Sequence, residues 1–255
     1  MSKKIRQNSK GRIKPLGHSN YGSIPHLPNS RLGKGEHHIP EGQQRIATSE
    51  VRDNKDLVIV QEKLDGANVG VVKLNNTLRI LSRSGHDCET SIHPTHQYFV
   101  KFVKHNHSRF FDMLQEGERV AGEWLLVVHG TKYQLPHEPF VVFDFFTAQN
   151  ERLNYHSFLL RVLPFGFVVP RLVRLGNPIT VRKALEVLDT DTSYHGAVEN
   201  EKIEGIIYRV ERDNKVDYLC KYVRPDKVDG LHLDNDNVIL NGILPQYEYL
   251  LSDTL

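Results

Sequence analysis

The stretch Leu57-Val58-Ile59-Val60-Gln61-Glu62-Lys63-Leu64-Asp65-Gly66-Ala67-Asn68-Val69-Gly70-Val71-Val72 decides how this chain is read. Residues 57–61 are apolar and β-branched, the pattern of a buried strand. Lys63 stands at the end of that strand, just before a glycine turn. Free lysine titrates near 10.4, so at pH 7 fewer than roughly one in a thousand is neutral. A nucleophilic lysine therefore needs burial or a neighbouring cation to lower that value. The plain alternative is an exposed lysine in a Lys-x-Asp-Gly turn, a four-residue pattern that chance also produces.

Working outward, residues 69–74 and 77–82 flank Asn75-Asn76, which reads as a hairpin. Residues 95–115 carry Tyr98, Phe99, Phe102, Val103, Phe110, Met113 and Leu114 mostly at three-to-four spacing, which predicts one helix with Gly117 beyond its end. Residues 119–128 and 140–146 read as strands, and residues 179–188 as a short amphipathic helix. Residues 203–210 and 216–222 read as strands around a second hairpin at Asp213-Asn214. Residues 17–45, rich in Gly, Pro, Ser, Asn and His, read as loop with short extended pieces. Hairpin-linked strands outnumber helices, so the expected class is α+β, with antiparallel sheets and flanking helices.

The 255 residues carry a formal net charge of +2, too small to argue by itself for a nucleic-acid partner. Any such field must come from clustering. Lys3, Lys4, Arg6, Lys10, Arg12 and Lys14 do cluster, with no acidic residue among the first 16. That basic tail suits a phosphate backbone or a nuclear address, or is a solubilising terminus. Cys88 and Cys220 are too few for a disulfide framework or a four-cysteine zinc site. No apolar run reaches the ~20 residues of a membrane helix. These features predict a reducing cytoplasmic or nuclear setting with no membrane partner. Histidines at 93, 96, 105 and 107 lack a matching Cys/His pair at zinc-site spacing.

Other strands also end in charge. Arg83-Ser84-Gly85 follows the first hairpin, and Gly122-Glu123-Trp124-Leu125 sets a carboxylate inside an apolar strand. Val141-Val142-Phe143-Asp144-Phe145-Phe146 is rich in aromatics. Glu204-Gly205-Ile206-Ile207-Tyr208 sets a carboxylate before a strand, and Lys221 closes another. Buried strands that repeatedly end in Lys, Arg or Glu suggest convergence on a polyanion and a metal.

Taken in order, these pieces resemble the motifs of the covalent nucleotidyltransferases: ATP-dependent RNA ligases, DNA ligases and mRNA capping enzymes. The likeness is strongest to the phage-type RNA ligases, because Asn68 follows Lys-x-Asp-Gly at their spacing. The stretch Pro25-His26-Leu27-Pro28-Asn29-Ser30-Arg31 is similar to one in that family as well. The resemblance spans about residues 25–225. It implies an adenylation fold of the ligase and capping-enzyme type, ATP-grasp-like, over residues 17–230, between the basic tail of residues 1–16 and a short tail of residues 231–255. It implies that Lys63 forms a lysyl–AMP adduct from ATP, that AMP passes to a 5′-phosphate of RNA, and that a 3′-hydroxyl then displaces it. Arg83 is expected on the ribose or phosphate of AMP. Glu123 is expected on the ribose hydroxyl or a metal-bound water, and Glu204 on Mg2+ or Mn2+. Lys221 is assigned to the α-phosphate and Asn68 to the nucleic-acid phosphate or the ligation step. The main chain near Glu62 is expected to read the adenine amine. Phe143 is expected to stack on adenine, with Phe140 and Phe145 as register alternatives. Strand alternation puts Phe143 and Phe145 on one face.

The family's last motif carries two lysines two residues apart, whereas this chain has Leu219 and Lys221. Either Arg224 or Lys227 compensates, or the phosphate contacts are reduced. About 30 residues follow Lys221, too few for a five-stranded OB-fold, so no such domain is expected and a capping enzyme is disfavoured. The alternatives left open are a DNA or mixed-strand nick ligase, a non-catalytic module that binds RNA ends, and a GTP-using enzyme.

Overall fold

A computed structural model describes residues 13–227, 231 and 238–252. The basic residues up to Arg12 lie outside the described residues. The elements run in order as α1 (Glu41–Thr48), β1 (Asp56–Lys63), β2 (Ala67–Leu74), β3 (Thr77–Ser82), α2 (Pro94–His105), α3 (His107–Met113), β4 (Arg119–Trp124), β5 (Phe140–Phe146), α4 (Tyr155–Val162), β6 (Leu172–Gly176), α5 (Val181–Asp189), β7 (Gly205–Arg212) and β8 (Lys215–Val223).

The strands form two antiparallel four-stranded sheets, in the orders β6-β1-β7-β8 and β3-β2-β4-β5. Both hairpin turns use positive φ at both central residues, Asn75 and Asn76 in one, Asp213 and Asn214 in the other. That backbone matches the right-handed strand twist, and Asn and Asp tolerate it better than most residues. The first sheet turns Val58, Val60, Ile206, Tyr208, Val210 and Cys220 toward a core shared with Ala47 of α1 and Ala184 and Leu188 of α5. The second sheet turns Val69, Val71, Val120, Trp124, Phe140, Val142 and Phe145 toward Phe99, Phe102 and Phe110 of α2 and α3 and Phe158 of α4. The opposite faces of the two sheets are left to line a cavity.

The single helix expected over residues 95–115 is two helices, α2 and α3. Asn106 breaks it, with φ −101° and ψ 25°, and its side chain donates to Phe102 O at 2.9 Å. An amide that bonds its own helix's carbonyl competes with continuation. The strand expected over residues 119–128 stops at Trp124. Residues 125–128 stay buried but leave the sheet for the C-terminal segment: Val128 N–H donates to Ile239 O and Asn241 N–H to Leu126 O, both at 2.9 Å. That segment packs onto the domain rather than trailing from it, with Leu250 1% exposed. The region read as loop ends in α1, whose apolar residues are few, and β6 and α4 have no counterpart in the sequence reading. Among the described residues no helix is long and apolar enough to cross a membrane.

Candidate active site

β1 ends on Lys63, and the chain crosses to the second sheet through Leu64, Asp65 and Gly66. A side chain at Gly66 would meet Trp124 O at 2.6 Å, so the crossing needs glycine. Lys63 pairs across the first sheet with Gly205. Gly205 also cannot carry a Cβ, which would lie 1.9 Å from Tyr222 O. This close approach sets Glu204 beside Lys63, and the Lys63 ammonium donates to Glu204 Oε2. From the second sheet, Asn68 and Glu123 are direct partners on β2 and β4. Glu123 Oε1 accepts from Gly66 N–H at 3.2 Å.

Glu62, Lys63, Asn68, Arg83, Glu123, Phe143 and Lys221 all line one cavity of about 360 Å³ between the sheets. Glu204 reaches it through Lys63. The sequence-predicted residues, separated by up to 159 positions in the chain, are therefore brought together.

Burial would lower the Lys63 pKa, but the carboxylates of Glu204, Glu123 and Asp65 outweigh it, and the net direction is upward. The environment found here thus favours the ammonium, whereas the sequence argument expects a nucleophile poised by a lowered pKa. Burial raises Glu123 to about 8 and Glu62 to about 7. The Glu62 amide donates to Arg171 O at 3.0 Å, so an adenine amine would have to be read by a carbonyl, the acceptor it needs.

A bulge corrects the expectation that Phe143 and Phe145 share a face. Ala121 pairs with Asp144 and Gly122 with Val142, leaving Phe143 without a partner. The extra residue shifts the alternation by one. Phe145 and Phe140 are fully buried in the helix-facing core, while Phe143 lines the cavity edge-on to Tyr21, with ring centroids 5.0 Å apart. The bulge also turns Asp144 inward, where its carboxylate accepts from Tyr21 OH at 2.6 Å, Arg152 Nε at 2.7 Å and Arg209 Nη1 at 2.7 Å.

The expected substitutes for the absent lysine are elsewhere. Arg224 bonds Ile203 O and Asp189, and Lys227 bonds Gly130 O and Thr131 Oγ1. The cation beside Leu219 is Arg209, its direct partner across β7 and β8, and it lines the cavity. Sequence reasoning missed Arg209, Tyr21 and Glu36. Glu36 Oε1 accepts from Lys221 Nζ at 2.6 Å, and Glu36 also pairs with His26 at 2.9 Å. The segment carrying Tyr21 and His26 runs along β8: Lys221 N–H donates to Pro25 O, and Leu27 N–H donates to Lys221 O. The Pro25–Arg31 motif was the available signal for that segment; nothing local marks Glu36.

A family model described as RNA ligase matches residues 56–223, the whole run from β1 to β8. The chain belongs to the RNA ligase family. Its fold is similar to an archaeal ATP-dependent RNA ligase (form 2), at 17% identity and TM-score 0.50, covering 86% of this chain and 51% of that one. It is similar to a Naegleria gruberi RNA ligase with PPi, at 14% identity and TM-score 0.52, covering 88% and 60%. A lysine-to-alanine mutant of the Naegleria gruberi ligase, with ATP and Mn, gives 14% identity and TM-score 0.53, covering 87% and 59%. The chain thus spans a little over half the length of these solved ligases. No curated protein sequence matches it significantly.

Proposed function

We propose that this protein is an ATP-dependent RNA ligase that works through a lysyl–AMP intermediate. The observation that carries the reading is Lys63, ion-paired with Glu204, facing a cavity whose walls hold cations for phosphate and a bulge-presented aromatic for a base. Lys63 passes its ammonium proton to the Glu204 carboxylate it is paired with, and the neutral amine attacks the α-phosphorus of ATP, its second proton leaving with the pyrophosphate. A P–N bond forms, the P–O bond to the β-phosphate breaks, and pyrophosphate leaves with the electron pair. A 5′-phosphate oxygen of RNA then displaces Lys63 from phosphorus. Finally a 3′-hydroxyl attacks the adenylylated end and AMP leaves.

In this scheme Phe143 stacks on adenine and Glu123 holds the ribose hydroxyl or a metal-bound water. Arg83 contacts ribose or phosphate through its planar fork. Lys221 neutralises charge growing on the α-phosphate as pyrophosphate departs. Asn68 serves the nucleic-acid phosphate or the sealing step. Arg209, beside Leu219, stands on the same wall with its charge already met by the buried carboxylates of Asp144 and Glu211. Among the described residues no group of three or more His, Cys, Asp or Glu side chains could enclose a metal. The oxygen donors Glu204 and Glu123 suit a hard cation shared with nucleotide phosphates, and would hold Mg2+ or Mn2+ in that way. Bound there, such a cation supplies charge neutralisation at the reacting phosphorus.

Incubation with α-labelled ATP and Mg2+ or Mn2+ is expected to label the protein, with an AMP-sized mass increment on the Lys63 peptide. Lys63→Ala is expected to abolish it. An unlabelled wild-type protein overturns the catalytic reading. GTP competition and a comparison of RNA with DNA strands decide the nucleotide and the polymer.

A further inference from the structure

A second cavity, of about 520 Å³, adjoins the first and shares Tyr21, Asn68 and Arg83 with it. Its far wall is built from two pieces of chain, the turn after β3 and the start of α2. Arg83, Ser84, His86, Ser91, His93 and His96 supply that wall. Two hydroxyl–imidazole pairs hold the rings in place. Ser84 Oγ lies 2.9 Å from His86 Nδ1, and Ser91 Oγ lies 2.7 Å from His96 Nδ1. His93 stands edge-on to His96, with centroids 5.7 Å apart.

The wall is rich in donors and poor in negative charge. Its one carboxylate among the described lining residues is Asp87, which is turned back on its own chain and accepts from Glu89 N–H at 2.9 Å. His93 is also the N-cap of the twelve-residue α2; its own N–H is taken by Ser91 Oγ at 3.2 Å, so the side chains rather than the helix end supply this wall. Asn68 Oδ1, on the wall common to both cavities, is buried with no hydrogen-bond partner among the described residues. It is an acceptor that fits a ribose hydroxyl.

The geometry points to this cavity as the seat of the 5′-phosphorylated end of the RNA, with the terminal phosphomonoester on Arg83, His93 and His96. The inference rests on the ligase reading and adds to it the residues that select the end. Because Arg83 and Asn68 bound both cavities, a phosphate held here lies next to where AMP would be carried on Lys63, as the transfer requires. A phosphomonoester carries close to two negative charges at neutral pH and three acceptor oxygens, matching a wall of imidazoles, hydroxyls and a guanidinium.

The test compares binding of a short single-stranded RNA bearing a 5′-phosphate with the same RNA bearing a 5′-hydroxyl. The wild-type protein is expected to prefer the phosphate by at least about tenfold. His93→Ala combined with His96→Ala is expected to erase that preference while leaving affinity for the 5′-hydroxyl RNA within about twofold. His96→Gln, which keeps a donor, is expected to retain part of the preference. Wild-type protein that is labelled by ATP yet binds both RNAs equally overturns this subsite and leaves the ligase standing. Protein that is not labelled, yet shows a preference lost in the double variant, overturns the ligase and leaves an end-binding site. Equal loss of affinity for both RNAs in the double variant also overturns the assignment, because it makes the histidines general backbone contacts.

Discussion

Lys221 Nζ and Glu36 Oε1 lie 2.6 Å apart, 185 positions separated in sequence. The cation assigned to the nucleotide's α-phosphate is already paired with a carboxylate. Burial opposes ionisation of Glu36, but the bonds from Lys221 and from Gly33 N–H outweigh it and hold the carboxyl down to about 2. Glu36 therefore stays charged throughout the physiological range and competes with phosphate for Lys221. Glu36→Gln removes the competitor. Exchanging a partly exposed ion pair of about 1 kcal/mol corresponds to roughly fivefold. A three- to tenfold tighter Kd for a non-hydrolysable ATP analogue is expected, measured by calorimetry.

The bulge at Phe143 makes two neighbouring aromatics separable. Phe143→Ala is expected to raise KM for ATP in the labelling assay with little change in Tm, because the ring lines the cavity. Phe145→Ala removes a fully buried ring and is expected to cost about 3–5 kcal/mol in urea unfolding. If the Phe143 variant labels at wild-type KM, Phe143 is not the stacking residue.

Glu204 raises the Lys63 pKa more than any other neighbouring group. Glu204→Gln deletes that contribution, so the amine loses its proton at lower pH. Reaction of Lys63 with an amine-directed reagent, followed by peptide mass spectrometry without nucleotide, reads this directly. The pH profile is expected to move toward acid in the variant. A profile that stays in place would mean that Glu204 does not set the charge of Lys63.

A histidine relay behind the Glu62 wall of the site makes acid stability testable. Arg171 N–H donates to His195 Nε2 at 3.1 Å, so His195 carries its hydrogen on Nδ1 and gives it to His137 Nε2 at 2.8 Å. His137 in turn uses Nδ1 to donate to Glu138 O at 2.7 Å. Both rings are neutral in this chain, and an added proton breaks a link. Burial holds His195 down to about 3, with smaller contributions from His137 and Arg171. Below pH 6.5 the unfolded chain takes up a proton that the folded chain refuses, so stability present above 6.5 falls as pH drops toward 3. The full loss is on the order of 5 kcal/mol. Urea midpoints between pH 7 and 4 are expected to fall more steeply in the wild type than in His195→Gln.

The strand ends that carry charge were legible because strand and turn chemistry is local. Residues 57–82 fold as the sequence predicts, and Lys63, Asn68, Arg83, Glu123, Phe143 and Lys221 meet in one cavity. What escaped depends on distant partners. β6 has half-exposed and exposed residues in no alternating order, so no period marks it. Asn106 ends α2 by a side-chain bond that periodicity cannot register. The bulge at Phe143 arises from pairing between β4 and β5, not from β5 alone. Glu36 and Arg209 enter the site through contacts that only the folded chain creates.

The cavity lies on the seam between two sheets whose hydrophobic cores lie mainly on their far sides. Whatever fills that seam touches both halves at once and acts as mortar between them. A nucleotide at 100 times its Kd should add about 2.7 kcal/mol to the whole molecule's resistance to unfolding. A simple melting scan against a panel of nucleotides would therefore rank the true co-substrate before any RNA is joined.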